Sequence, residues 1–127
     1  MKKFLSLLFL LTVMLMSPLS AYALKYEEAI NQSKPMAILV YAPWADNQQT
    51  CMQAFKAMEQ QYAAQYNFVL INIATADAKA FNKTYHIYPN LPYVLLFKDR
   101  GKISRYLKAD CVMNNTCFTD KLNLFIN

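Results

Sequence analysis

The stretch MAILVYAPWADNQQTC, residues 36–51, decides how this chain is read. Met36 to Tyr41 is an unbroken apolar run. Such a run suits a strand buried on both faces, which is typical of a parallel sheet covered by helices. Ala42 to Asn47, with Pro43 and Trp44, reads as a loop. A long helix then follows from Gln48 to Tyr66, with Asp46 or Asn47 as its N-cap. Its apolar positions Cys51, Phe55, Met58, Tyr62 and Tyr66 recur at three- and four-residue steps. Strand, loop and long amphipathic helix together predict an α/β domain.

Working outward, Tyr26 to Gln32 reads as a short helix before Lys34-Pro35. Phe68 to Ile73 (FVLINI) is a second buried strand. Because a helix separates it from the first, the two are expected to be parallel with a right-handed crossover. Asp77 to Thr84 is a short helix and Tyr93 to Phe97 (YVLLF) a third strand. Asp99-Arg100-Gly101 is a turn, placing the single glycine where positive φ is needed. Lys102 to Leu107 is a fourth strand, with Ile103, Arg105 and Leu107 alternating against Ser104 and Tyr106. Thr119 is placed as the cap of a last helix to Ile126. The order α-β-α-β-α-β-β-α predicts a three-layer α/β sandwich with a central mixed four-stranded sheet flanked by helices.

Composition narrows the function classes. The chain has 127 residues, 56% of them apolar, with one glycine, five prolines and three cysteines. That excludes collagen-like and linker-rich disordered chains. The apolar excess is concentrated at the start. Lys2 and Lys3 precede an apolar stretch from Phe4 to Met16, Pro18 breaks it, and Ala21-Tyr22-Ala23 offers small residues for cleavage. This is the pattern of a secretory signal peptide, so residues 1–23 are expected to be removed, leaving a domain over 24–127. The competing reading is a retained anchor, but about 13 apolar residues are short against the roughly 20 needed to span a bilayer. The expected product is exported, periplasmic or secreted, with no stable membrane anchor after cleavage. Loss of Lys2 and Lys3 leaves a net charge of about +3, scattered singly, which gives no footprint for nucleic acid. His86 is the only histidine, and Gly101 alone makes no phosphate loop. No metal site and no cofactor are implied.

The element order and several local motifs together resemble the thioredoxin fold over about residues 34–126. The residues that carry the resemblance are Lys34-Pro35, Ala42-Pro43-Trp44, the long helix with Cys51, Ile71-Asn72-Ile73, Leu91-Pro92-Tyr93, and Phe97-Lys98 leading to Gly101. Redox-active members carry Trp-Cys-x-x-Cys at the start of the long helix. The first sulfur attacks as a thiolate stabilised by the helix N-terminus, and the second resolves the mixed disulfide. Here Ala45 follows Trp44, so the attacking sulfur is missing. Cys51 matches the resolving position if about three residues are inserted in the loop. Leu39 stands where such thioredoxins carry a buried acidic residue that assists proton transfer.

The resemblance further implies that Pro92 is the family's cis-proline, exposing the backbone of Leu91 for pairing with an extended partner. The plainer reading is a proline that starts a strand through a trans bond. Trp44, Tyr88, Pro89 and Tyr93 then either rim a peptide groove with Leu91 and Pro92 or close the end of the core. For the cysteines, a local Cys111–Cys117 bridge competes with a pair between Cys51 and either Cys111 or Cys117, and with three free thiols. Cys51 is read either as a reactive, catalytic thiol or as a small buried hydrophobe on its helix stripe. Two functions follow. One is an exported thioredoxin-like module without the active dithiol, which binds an extended polypeptide or another envelope protein. The alternative is an enzyme performing thiol–disulfide exchange through Cys51, alone or paired with Cys111 or Cys117. A third possibility is a structural subunit whose fold carries no chemistry.

Overall fold

The computed structural model describes residues 26–127. The expected signal segment 1–23 lies outside the described residues. The elements are α1 (Tyr26–Ala29), β1 (Met36–Tyr41), α2 (Gln48–Tyr62), β2 (Asn67–Asn72), α3 (Asp77–Tyr85), β3 (Tyr93–Lys98), β4 (Ile103–Lys108), α4 (Ala109–Met113) and α5 (Asn115–Ile126). The sheet order is β2-β1-β3-β4. β1 runs parallel to β2, with Met36 opposite Asn67, and antiparallel to β3, with Leu39 opposite Val94. β3 and β4 form the antiparallel hairpin, with Leu95 opposite Tyr106.

The apolar runs that mark β1 and β3 in the sequence occupy the two central strands, buried along five of six positions each. Alternation then splits their side chains between two layers. Ala37, Leu39, Val94 and Leu96 face a core built with Cys51, Phe55 and Met58 of α2, Val112 of α4, and Phe118, Leu122 and Phe125 of α5. Met36, Ile38, Val40, Tyr93, Leu95 and Phe97 face a second core with Tyr26 and Ala29 of α1 and Ala78 and Phe81 of α3. β4 is an edge strand. Leu107 is buried, but Ile103, Ser104 and Arg105 are exposed. Its alternation is therefore read only at its Leu107 end, where α4 packs over the sheet.

Three local expectations are corrected. α1 ends at Ala29. α2 stops at Tyr62; the Tyr66 N–H still donates to the Tyr62 carbonyl at 2.9 Å, its hydroxyl donates to the Leu122 carbonyl of α5 at 2.6 Å, and β2 begins at Asn67. Of the two N-cap candidates, Asn47 is the one that caps α2, through a left-handed backbone conformation, φ 62°, and no side-chain hydrogen bond. The segment expected to be a loop before Thr119 is helical. α4 is followed by Asn114, whose Oδ1 accepts the Cys117 N–H at 3.0 Å, so Asn114 caps α5 and Thr119 lies one turn inside it. The turn expected at 99–101 is present, and all three residues are left-handed, with φ of 54°, 57° and 86° at Asp99, Arg100 and Gly101.

Candidate functional site

Strand register fixes which residues meet at one end of the sheet. Val40, near the end of β1, pairs with Tyr93 at the start of β3, and Tyr93 pairs with Lys108 at the end of β4. The Trp44 loop, the Leu91-Pro92 segment, the start of α2 with Cys51, and α4 with Cys111 therefore converge on the same end. This is where connections are free to carry function, because a rigid sheet holds them from one side.

At that end, Trp44 is 70% exposed. The Leu91–Pro92 peptide bond is cis. Leu91 is half-buried and Pro92 is buried. The Leu91 N–H donates to the Pro89 carbonyl at 3.2 Å, while its carbonyl accepts no backbone hydrogen bond among the described residues. Pairing with a partner strand at this residue would therefore use the carbonyl. Tyr93 is 0% exposed, and its hydroxyl accepts the Tyr88 N–H at 3.1 Å. It supports the loop from beneath and offers no surface of its own.

Tyr88, Tyr93 and Tyr106 form a three-ring cluster, with centroids 5.1–5.4 Å apart. Sequence reasoning placed Tyr88 and Tyr93 here and missed Tyr106. The cross-strand partner of Leu95 lies on the outer strand, so its arrival at the loop depends on hairpin register. Burial, and then Tyr88, push the Tyr106 hydroxyl above its ordinary pKa. A groove of about 370 Å³ runs past this cluster, lined by Pro89, Asn90, Leu91, Tyr106, Lys108, Ala109 and Asp110.

The cysteines divide into a bridge and a core thiol. Cys111 and Cys117 form a disulfide, Cα–Cα 5.2 Å, that joins α4 to the first turn of α5. The pairing of Cys51 with either of them is therefore not the one formed. Cys51 is the free cysteine and is 0% exposed. It sits in the apolar cluster with Leu39, Val94, Phe55, Val112 and Phe118. Burial pushes its thiol above the ordinary range, and the Asp110 carboxylate pushes the same way. Both effects hold the thiol protonated, the opposite of what an attacking sulfur needs. Leu39 fills the same cluster with an apolar side chain. The three-layer sandwich, the sheet order and the position of the long helix match solved thioredoxins.

The fold is thioredoxin-like. The Malassezia sympodialis thioredoxin superposes with a TM-score of 0.66 at 11% identity, over 81% of this chain and 87% of that one. Mitochondrial thioredoxin 3 from Saccharomyces cerevisiae, in its oxidized form, gives 0.59 at 20% identity, over 74% and 81%. The Drosophila germline thioredoxin Deadhead gives 0.58 at 14%, over 76% and 87%. Among curated proteins, the chloroplastic thioredoxin-like protein HCF164 of Arabidopsis thaliana is 38% identical over 55 residues. Its counterpart in Oryza sativa subsp. japonica is 36% identical over 55 residues. Each match covers 43% of this chain, which spans 21% of the length of those relatives. No protein-family model matches the chain. In this thioredoxin-like frame, Ala45 follows the loop tryptophan at the start of the long helix, the Cys51 thiol is sealed in the core, and the chain's disulfide lies between α4 and α5.

Proposed function

We propose that the chain is an exported thioredoxin-like module that holds an extended polypeptide along the Leu91 loop and the Trp44 rim, without dithiol chemistry at the start of α2. The observation that carries this reading is the pairing of an open groove with an absent dithiol. The Leu91 carbonyl accepts no backbone hydrogen bond among the described residues and borders the 370 Å³ groove, and the nearby Cys51 is fully buried. A strand laid there gains main-chain hydrogen bonds from the carbonyl, and apolar contact from Leu91 and Tyr106. Trp44 adds a rigid aromatic platform, the residue type over-represented where binding energy concentrates. Lys108 and Asp110 on the groove wall supply one charge of each sign, so the site selects extended shape over net charge.

Export is tested by N-terminal sequencing of the protein recovered from cells, which is expected to start at Leu24. Retention of Met1 contradicts it. Binding is tested by placing a photo-crosslinking residue at the exposed Asn90 position in living cells. The expected result is a discrete polypeptide adduct, lost when Trp44→Ala or Leu91→Asp is added. No adduct, or an adduct indifferent to both changes, contradicts the reading.

A further inference from the structure

Next to the polypeptide groove lies a second cavity of about 500 Å³, lined by Tyr106, Leu107, Lys108, Asp110, Cys111, Asn114, Cys117 and Lys121. We propose that this cavity is a site for a small carboxylate-bearing thiol, and that the Cys111–Cys117 disulfide at its wall is the group it reacts with.

Three features converge on that chemistry. Both half-cystines are half-buried and border open space, so an attacking sulfur has access to them. Two lysines border the same cavity against one carboxylate, Asp110. Lys121 sits one turn beyond Cys117 on α5, so both lie on one helix face. A thiolate carrying a second negative group is drawn toward such a cavity. Cys117 lies in the first turn of the twelve-residue α5. A thiolate released there faces the positive end of the helix, which favours it as a leaving group. The cavity volume accommodates a molecule of small-peptide size.

The step balances without any further oxidant. The incoming thiolate attacks Cys111 Sγ, a new S–S bond forms, and the Cys111–Cys117 bond breaks. Its electron pair leaves on Cys117 Sγ as a thiolate. The products are a mixed disulfide at Cys111 and a free thiol at Cys117. Reattack by Cys117 expels the small thiol and restores the starting bridge. This site is separate from the α2 start, and the proposal does not depend on polypeptide binding.

The test uses the purified native chain and three monothiols: 3-mercaptopropionate, 2-mercaptoethanol and cysteamine. Adduct formation is followed by intact mass, with rates normalised to thiolate concentration and to each probe's rate with a small neutral disulfide, which removes intrinsic nucleophilicity. The anionic probe is expected to react at least about tenfold faster than the cationic one. High salt, and the exposed-site double variant Lys108→Gln/Lys121→Gln, are expected to bring that ratio near one. Circular dichroism confirms that the variant is folded. An inert disulfide, equal rates for the three probes, or a ratio unchanged in the double variant overturns the proposal. No polypeptide is present, so failure here leaves the groove reading standing, and failure of the cross-linking experiment leaves this proposal standing.

Discussion

At the scale of single residues, the decisive contrast is between Cys51 and the bridge. A cysteine on an apolar helix stripe is legible as core from spacing alone, and Cys51 is 0% exposed among Leu39, Phe55 and Val94. The environment that holds its thiol protonated is legible only in part. The missing partner at Ala45 can be read in the sequence, but the carboxylate of Asp110 that further disfavours the thiolate comes from a helix far along the chain. Native protein is therefore expected to release no thiol to Ellman's reagent, and denatured protein one. Cys51→Ser places a hydroxyl in an apolar cluster, and should cost about 1–3 kcal/mol in urea unfolding. Cys51→Ala should cost less, as it removes sulfur contacts and adds no polar group. A reactive native thiol, or a serine variant as stable as the alanine one, contradicts this placement.

Tyr26 gives a second residue-scale expectation, this time in pH. Burial, and then its neighbour Tyr85, push its hydroxyl up to about 12. Its ring packs edge-on against Phe81 and Tyr85, at centroid distances of 5.5 and 6.2 Å. The folded pKa is raised, so the associated stability is fully present below pH 10 and is lost as pH rises from about 10 to about 12. Two pKa steps correspond to about 2–3 kcal/mol. Tyr26→Phe should flatten the fall of the unfolding midpoint above pH 10, and an unchanged alkaline profile would speak against it.

Elements were readable where their pattern is continuous and lost where a long-range contact sets the boundary. β1, β2 and β3 announce themselves as apolar runs, and the parallel β1–β2 pair follows from the intervening helix. The end of α2 does not. Tyr66 fits the helix stripe, but its hydroxyl is claimed by the Leu122 carbonyl, 56 residues away in sequence. α4 was missed because five residues, Ala109 to Met113, are too few to show a period, and because the Cys111–Cys117 spacing suggested a loop. The α5 cap was present in the sequence as Asn114, a residue type that caps as well as the threonine chosen in its place.

The β3–β4 turn is the element with the clearest single-residue test. Gly101 has φ 86°, and a Cβ added there runs into the Tyr85 hydroxyl. The Tyr85 ring packs on Phe97 at 4.5 Å, so it has little freedom to move away. Gly101→Ala should destabilise by about 1–3 kcal/mol, from backbone strain and contact together. Adding Tyr85→Phe should recover the contact part and leave the backbone part, a coupling visible in a double-mutant cycle. Strict additivity of the two changes would show that the hydroxyl is not the obstacle.

At the scale of the whole molecule, one end of the sheet gathers the residues of the candidate site. The strand register brings Trp44, Leu91, the tyrosine cluster, Asp110 and the disulfide to that end, and seals the lone thiol beneath them. Local sequence could name most of these residues but not their adjacency, because Tyr106, Lys108 and Asp110 belong to an edge strand and a short helix whose positions depend on hairpin register. The fold is thioredoxin-like, and the start of its long helix carries Cys51 without a second cysteine. The most direct measurement of the central claim is backbone and indole NMR of isotope-labelled protein titrated with cysteine-free, extended dodecapeptides of mixed sequence. Saturable shifts are expected at the Trp44 indole and the Asn90, Leu91 and Lys108 amides, abolished in Trp44→Ala. Saturable binding confined to another surface, or no binding across the peptide set, would contradict it.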